Sequence, residues 1–140
     1  MEWMLMPLKR YADFQGRSRR MEYWMFILGI IIVEVVLFSL MGVLGVFSPR
    51  TDGSTPVMML PLFGILGIFG LAIIIPAIAV QVRRFHDQNL SGWLVLIGLI
   101  PYLGGLVVLV FMCLPGTKGP NKYGPDPLDP NGANVADVFR

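Results

Sequence analysis

The densest group of ionisable side chains follows the second apolar segment of the chain and consists of Arg83, Arg84, His86 and Asp87. Histidine transfers protons near neutral pH, and arginine forms strong hydrogen bonds to phosphate groups. If this segment is helical, Arg83 and Asp87 are four residues apart and can form an ion pair. His86 and Asp87 are adjacent, so they point about 100° apart on a helix and cannot act as a dyad. A catalytic site would need His86 to meet a carboxylate from elsewhere, such as Glu22.

Three interpretations of this cluster are open. In the first, the positive charges fix the orientation of the chain in a membrane, and Asp87 caps a helix or pairs with an arginine. In the second, Arg83 and Arg84 bind the phosphates of lipid headgroups or a membrane partner. In the third, His86 acts catalytically on a phosphorylated lipid, although the sequence offers no convincing nucleophile beside it.

A second polar group precedes the first apolar segment and includes Arg17, Arg20 and Glu22. Either Arg17 or Arg20 could reach Asp87, which would hold this part of the chain against the loop at residues 81–92. The two groups together predict one polar face, which is the candidate binding site. Its members are Arg17, Arg20, Glu22, Arg83, Arg84, His86 and Asp87.

Glu34 lies inside the first apolar stretch, close to the expected centre of a bilayer. A charge at that depth costs about 2.5–3.5 kcal/mol on insertion scales, and such residues are often functional. The other apolar stretches contain no basic residue at matching depth, so we expect a protonated side chain. Glu34 could hydrogen-bond a backbone carbonyl freed by Pro61 or Pro76, or it could belong to a proton or ion path.

The elements that must position these residues are three apolar stretches, at residues 23–47, 57–80 and 93–114. A bilayer core about 30 Å thick needs about 20 helical residues, so each stretch is long enough to cross it. Charged residues make up 14% of the chain and the mean hydropathy is +0.68, whereas soluble domains contain about 25% charged residues. We therefore predict an all-α, polytopic membrane protein with three transmembrane helices.

The third stretch contains Pro101 and the adjacent Gly104 and Gly105 near its middle. A single kinked span is the simpler interpretation. A re-entrant hairpin is the alternative, because each half has only about eight to ten residues, too few to cross a bilayer. Residues 1–127 are expected to form one membrane domain, and residues 128–140 a flexible tail.

The distribution of basic residues predicts an orientation. Five lysines and arginines precede the first stretch, and Arg83 and Arg84 follow the second. The positive-inside rule then places the N terminus and the loop at residues 81–92 in the cytoplasm. Residues 1–15 are expected either to lie on the cytoplasmic membrane surface or to form a frayed terminus. Three spans would place the C terminus in the periplasm or outside the cell, whereas a re-entrant third stretch would return it to the cytoplasm.

We expect neither a cofactor nor a metal ion. One histidine and one cysteine, His86 and Cys113, are too few for a zinc site within one chain. The sequence contains no phosphate-binding loop, nucleophile elbow or dinucleotide fingerprint. The net charge of +2 gives no reason to expect nucleic acid. The expected partners are the lipid bilayer, including its anionic headgroups, and a second copy or another membrane protein.

Four motifs occur in order along the chain: FQGRSRRMEYW, VRRFHDQNLSGW, IPYLGG and PGTKGPNKYGPDP. Together they resemble the bacterial inner-membrane family called domain of unknown function 805, over about residues 8–127. The residues that match its pattern are Phe14, Gly16, Arg17, Arg20, Tyr23, Trp24, Arg83, Arg84, His86, Asp87, Gly92, Trp93, Asn121, Tyr123, Gly124, Asp126 and Pro127. The resemblance implies an inner-membrane protein and carries no activity with it.

We therefore expect a small, non-enzymatic inner-membrane protein that binds lipid headgroups or a membrane partner through its cytoplasmic Arg/His/Asp face. The alternative is a transporter or channel subunit that uses Glu34. Three spans are few for a transporter, so this alternative requires oligomerisation.

Overall fold

The computed structural model describes residues 2–44 and 59–129 of the chain. These residues form α1 (Glu2–Lys9), α2 (Arg20–Val43), α3 (Met59–Asp87), a 3-10 helix (Gly92–Leu99) and α4 (Leu103–Cys113). Within the described ranges, extended pairing is limited to two isolated bridges near the C-terminal end. The predicted all-α class is confirmed.

The helices α2 and α3 are long and apolar enough to cross a membrane. They contain 24 and 29 residues, and their most apolar windows have mean hydropathies of 2.7 and 2.6. Only 11% and 17% of those windows is buried inside the protein, so most of this apolar surface faces outward, as suits contact with lipid. The remaining parts of the two predicted spans, residues 45–47 and 57–58, lie outside the described residues.

The third apolar stretch forms two short helices rather than one span. The 3-10 helix and α4 are each about 16 Å long, half the thickness of a bilayer core. Between them the backbone turns at Tyr102, whose φ is 65°. The side-chain amide of Gln88, before the first short helix, donates to the carbonyl of Phe111 near the end of the second. The stretch therefore returns to its starting level, as in the re-entrant alternative, and the single kinked span is not formed.

This return places residues 115–129 at the same end of the molecule as the loop after α3. Thr117 donates its backbone N–H to the carbonyl of Asp87 over 2.8 Å. The expectation that three spans carry the tail to the opposite side is therefore wrong for residues 115–129, because two half-length helices bring the chain back. Most of the predicted flexible tail, residues 130–140, lies outside the described residues.

The first helix, α1, packs into the groove between α2 and α3. The Met4 side chain lies against Gly29, about 14 Å along α2 from its first residue. The Tyr11 hydroxyl, just after α1, donates to the carbonyl of Ala72 in α3 over 2.6 Å. Residues 2–11 thus pack against the spanning helices rather than forming a frayed terminus.

The Tyr11 hydroxyl satisfies a backbone carbonyl of α3 that lacks a donor within the helix. Pro76 has no backbone N–H, so the carbonyl of Ala72, four residues earlier, has no donor within the helix. The Tyr11 hydroxyl supplies that donor. The prediction that Glu34 could do so is therefore wrong for Pro76. For Pro61 the corresponding carbonyl belongs to residue 57, which lies outside the described residues.

Tyr11→Phe should lower the free energy of unfolding by about 1–3 kcal/mol, because it leaves the Ala72 carbonyl without a partner. The measurement is an unfolding titration with a denaturing detergent in mixed micelles. Tyr102→Phe is the matched control, because Tyr102 is 99% exposed and its hydroxyl bonds to none of the described residues. Equal, negligible losses in both variants would contradict the role assigned to Tyr11.

Candidate functional site

The centre of the polar face is the carboxylate of Asp87, which lies between two arginines. Arg17 donates from Nε to Oδ1 over 2.9 Å, and Arg84 donates from Nη1 to Oδ2. The side chains of all three are at most 7% exposed. Of the two expected partners from the N-terminal segment, Arg17 therefore pairs with Asp87.

Arg20 does not take part in this pair. It is exposed, and its Nη1 donates to the carbonyl of Cys113 at the end of α4 over 3.2 Å. It therefore links the start of α2 to the helical hairpin and keeps its charge at the surface.

A second buried ion pair joins α2 to α3. Arg83 donates from Nη2 to Oε1 of Glu22 over 3.1 Å, and the side chains are 0% and 4% exposed. The predicted pair between Arg83 and Asp87 is not formed, because the two side chains take different partners. Arg83 Nε and Nη1, together with Arg84 Nε, are buried without a hydrogen-bond partner among the described residues. The arginines are therefore held inside the protein rather than presented to a ligand.

The His86 ring is held from two sides. Its Nδ1 lies 3.2 Å from the carbonyl of Gly16. Its face stacks on Tyr123, with ring centroids 3.7 Å apart and an angle of 6° between the planes. Glu22 is occupied by Arg83, so the histidine–carboxylate arrangement that catalysis would require is not formed with Glu22. The geometry gives the catalytic interpretation no support.

The tail contributes a large part of this face, which reasoning from the ionisable residues missed. Arg17 donates to the backbone carbonyls of Thr117 and Gly119, over 2.6 and 2.7 Å. Asn121 donates from Nδ2 to the carbonyl of His86 over 3.0 Å. The only signal in the sequence was the family pattern, which includes Asn121 and Tyr123. The structure therefore brings three of the four motifs, those before α2, after α3 and in the tail, into one cluster.

Gly116 shows how closely the tail approaches the ion pairs. A Cβ atom built at this position would lie 2.0 Å from Oδ2 of Asp87. A side chain there would displace the carboxylate that both Arg17 and Arg84 need. The Pro–Gly step after α4 is therefore a requirement for docking the tail on the loop.

Asp126 fixes the end of the tail. Its carboxylate accepts the backbone N–H groups of Leu128 and Gly119, each over 2.9 Å. The Leu128 hydrogen bond is the main cause that lowers the pKa of Asp126, and the Gly119 bond and the nearby Arg17 and Arg19 add to it. Because its pKa is lowered, ionised Asp126 stabilises the fold at every pH above the ordinary Asp pKa of about 3.9. This contribution is lost as the pH falls through the lowered pKa of the folded protein. Docking of the tail should weaken only in acid.

Glu34 lies apart from this cluster. It is exposed on α2, about 21 Å along the helix from Arg20. No hydrogen bond or ion pair to its carboxylate occurs among the described residues. A side chain exposed here would face lipid if the chain were alone in a bilayer.

Cationic side chains border a depression of about 440 Å³ beside the ion pairs. Arg19, Arg20 and Lys118 line it, together with Asp87, Asp126 and the backbone of residues 115–117. Asp87 is paired with Arg17 and Arg84, and Oδ1 of Asp126 is 4.0 Å from Arg17. Neither Arg20 nor Lys118 has a carboxylate within 4.0 Å among the described residues. Within residues 2–44 and 59–129, no group of three metal-binding side chains occurs.

Two spanning helices, a short apolar hairpin and an interlocked polar end define a small helical membrane protein. The sequence profile of the family described as "Protein of unknown function (DUF805)" matches residues 11–125, and the chain belongs to this family. It is similar to Inner membrane protein YhaH of Escherichia coli (strain K12), with 46% identity over 132 residues, 93% of this chain and 100% of YhaH. It is also similar to Inner membrane protein YhaI of that strain, with 40% identity over 127 residues, 91% of this chain and 96% of YhaI.

No solved structure matches the chain significantly. The resemblance inferred from the four motifs is confirmed by the family match and by both relatives. The protein is a small inner membrane protein of this family.

Proposed function

We propose that this protein is a non-enzymatic membrane protein that binds anionic lipid headgroups at its polar face. The observation that carries the proposal is the depression bordered by Arg19, Arg20 and Lys118. The sequence suggested Arg83 and Arg84 as phosphate ligands, but both are fully buried and hold internal partners. We assign binding instead to Arg20 and Lys118, which are exposed. The buried arginines, and Arg19, which donates to the Pro127 carbonyl, have a positioning role.

The electrostatics of the depression favour an anion. The two carboxylates that line it face arginines, so their charges are already compensated. Arg20 and Lys118 are exposed and have no carboxylate close by in the described part of the chain. Each basic residue near a membrane surface attracts anionic lipid by about 1 kcal/mol. A phosphate headgroup supplies the negative charge that these two side chains lack.

We further propose that this end of the molecule faces the cytoplasm. Nine of the eleven lysines and arginines lie within residues 9–20 or residues 83–122, in segments that meet at the polar face. The positive-inside rule places such a cluster on the cytoplasmic side. The N terminus, the loop after α3 and residues 115–129 would then share one compartment.

Replacing Arg20 and Lys118 by glutamine should raise the Kd for phosphatidylglycerol about thirtyfold, because two favourable charges of about 1 kcal/mol each are removed. The measurement is native mass spectrometry of purified protein titrated with phosphatidylglycerol in neutral detergent. Phosphatidylcholine serves as the reference lipid. Binding should also weaken with salt, since exposed charges are screened.

The matched control is the double variant Lys9→Gln/Lys122→Gln, which removes the same charge from two exposed positions outside the depression. It should retain most of the lipid affinity. If the two double variants weaken binding equally, the effect is one of overall charge and the assigned site is wrong. If neither changes the Kd, headgroup binding at this face is wrong altogether.

The exposed position of Glu34 favours a second candidate function, that of an oligomeric transporter or channel subunit. An ionisable side chain in the middle of a span normally faces a protein interior or an aqueous cavity. A neighbouring copy that covers this face of α2 would supply that environment. Glu34→Leu should shift the monomer–oligomer equilibrium of the purified protein in detergent. A monomer unaffected by Glu34→Leu would count against this candidate.

A further inference from the structure

A second cleft, of about 550 Å³, lies beside His86 between α3 and the 3-10 helix, apart from the cationic depression. Three aromatic rings from different segments line it, those of Phe14, Trp93 and Tyr123. Val82 and Leu96 add an aliphatic wall, one turn before His86 in α3 and one turn after Trp93 in the 3-10 helix, on the side away from the polar end. A cavity of this volume is in the range of small-molecule and lipid sites. Aromatic rings above an aliphatic wall are typical of the membrane interface.

One edge of the His86 ring supplies a hydrogen-bond acceptor to this cleft. The Gly16 carbonyl can only accept, so Nδ1 carries the ring proton and Nε2 is unprotonated in the neutral ring. The ordinary pKa of histidine is about 6.5, so the neutral ring predominates above neutral pH. A Cβ atom at Gly92 would lie 3.0 Å from Nε2 and 2.7 Å from Val82 Cγ1. Glycine at this position lets the start of the 3-10 helix approach His86 and Val82 this closely.

The hydroxyl of Ser91 supplies a donor to the same cleft. Its oxygen accepts the backbone N–H of Trp93 over 3.4 Å at the start of the 3-10 helix. The hydroxyl hydrogen has no protein acceptor among the described residues and can be donated to a ligand. The cleft thus offers one acceptor and one donor on an otherwise apolar surface.

The charge of the cleft distinguishes it from the depression at the cationic end. No lysine, arginine, aspartate or glutamate is among the described residues that line it. A phosphate would therefore lose its hydration without gaining a positive partner from the wall. A hydroxyl group both donates and accepts one hydrogen bond, and it carries no charge to desolvate.

We propose that this cleft binds an uncharged lipid with a free hydroxyl group, such as a diacylglycerol. The hydroxyl donates to Nε2 of His86 and accepts from Ser91, while the chains lie along Val82 and Leu96 towards the bilayer. Phe14 and Tyr123 belong to the segments joined by the ion pairs, so the cleft exists only when the polar face is assembled. The proposal does not depend on headgroup binding at Arg20 and Lys118.

The test is photo-crosslinking of the full-length protein in phosphatidylcholine nanodiscs. The probes are a diacylglycerol with a diazirine in one chain and a phosphatidic acid with the same chains, which differs by a phosphate in place of the hydroxyl. Crosslinks are mapped by mass spectrometry. The expected result is preferential labelling of residues 78–96 by the diacylglycerol, reduced about fivefold in His86→Asn through loss of the Nε2 acceptor. The side-chain amide that this substitution introduces can still donate to the Gly16 carbonyl.

Leu96→Trp fills the cleft from the 3-10 helix without touching the ion pairs, and it should also reduce labelling. Leu106→Trp is its control, because Leu106 is 63% exposed on α4 and does not line the cleft. Equal labelling by both probes that is insensitive to His86→Asn would mean that ordinary lipid chains fill the cleft. Preference for phosphatidic acid would point to a phosphate ligand near Lys122. Either result would overturn the proposal.

Discussion

Asp87→Asn should lower the free energy of unfolding by about 3–5 kcal/mol, among the largest losses expected for any single substitution in this protein. The change keeps the size of the side chain but removes the charge that two buried arginines face. Arg84 would remain inside the protein as an uncompensated cation, and Arg17 would keep only the Asp126 carboxylate at 4.0 Å. Breaking a buried pair in this way is strongly destabilising. The measurement is an unfolding titration in mixed micelles, followed by tryptophan fluorescence.

The control for this experiment is Asp13→Asn. Asp13 also pairs with an arginine, Arg10, but the two side chains are 41% and 38% exposed. Ion pairs at the surface contribute about 0–1 kcal/mol, so this variant should be nearly as stable as the wild type. Similar stabilities for Asp87→Asn and Asp13→Asn would contradict the burial and the structural role of the Asp87 cluster.

Glu22→Leu should be almost as damaging, because it removes the one carboxylate that pairs with the buried Arg83 among the described residues. We expect a loss of about 3–5 kcal/mol in the free energy of unfolding. The double variant Glu22→Leu/Arg83→Met removes both charges and fills the space with apolar side chains. A buried pair replaced in this way is often neutral or stabilising, so the double variant should recover most of the loss.

The diagnostic quantity is the coupling energy in the double-mutant cycle. Residues in contact give a non-additive cycle, whereas independent residues add within about 0.3–0.5 kcal/mol. An additive cycle, in which the double variant is as unstable as the sum of its single changes, would contradict the pair. Glu22→Leu combined with Arg20→Met serves as the comparison, because Arg20 contacts a carbonyl and not Glu22.

The positions of the two spanning helices were predictable because long apolar runs have few alternatives in a bilayer. The same reasoning placed Arg83 and Asp87 at the end of α3, where a polar sequence meets the apolar run. It could not identify their partners. Arg17, Arg19 and Arg20 lie within four residues and are chemically alike, so the partner of Asp87 depends on the backbone path. That path is set by contacts such as the 3.2 Å hydrogen bond from Ser18 N–H to the Arg83 carbonyl.

The course of the third apolar stretch was not decided by its composition. Pro101 and Gly104 indicate a break, but kinked helices and tight turns both use proline and glycine. The decisive fact is a close approach: a Cβ atom at Gly104 would lie 2.0 Å from the carbonyl oxygen of Ile97. Only glycine lets the two short helices meet there. The position of the tail depends on this contact, so it could not be predicted from the composition either.

The N-terminal segment, the loop after α3 and the tail form one polar face, which we propose lies on one side of the membrane. Its most direct test is a pair of compartment-sensitive reporter fusions, one before Met1 and one after Arg140, assayed in intact cells. The structure predicts that both reporters are active in the same compartment, and the positive charge predicts the cytoplasm. A C-terminal reporter active only in the periplasm would mean that the third stretch crosses the membrane. The Arg17–Asp87–Thr117 cluster could then not exist in the cell.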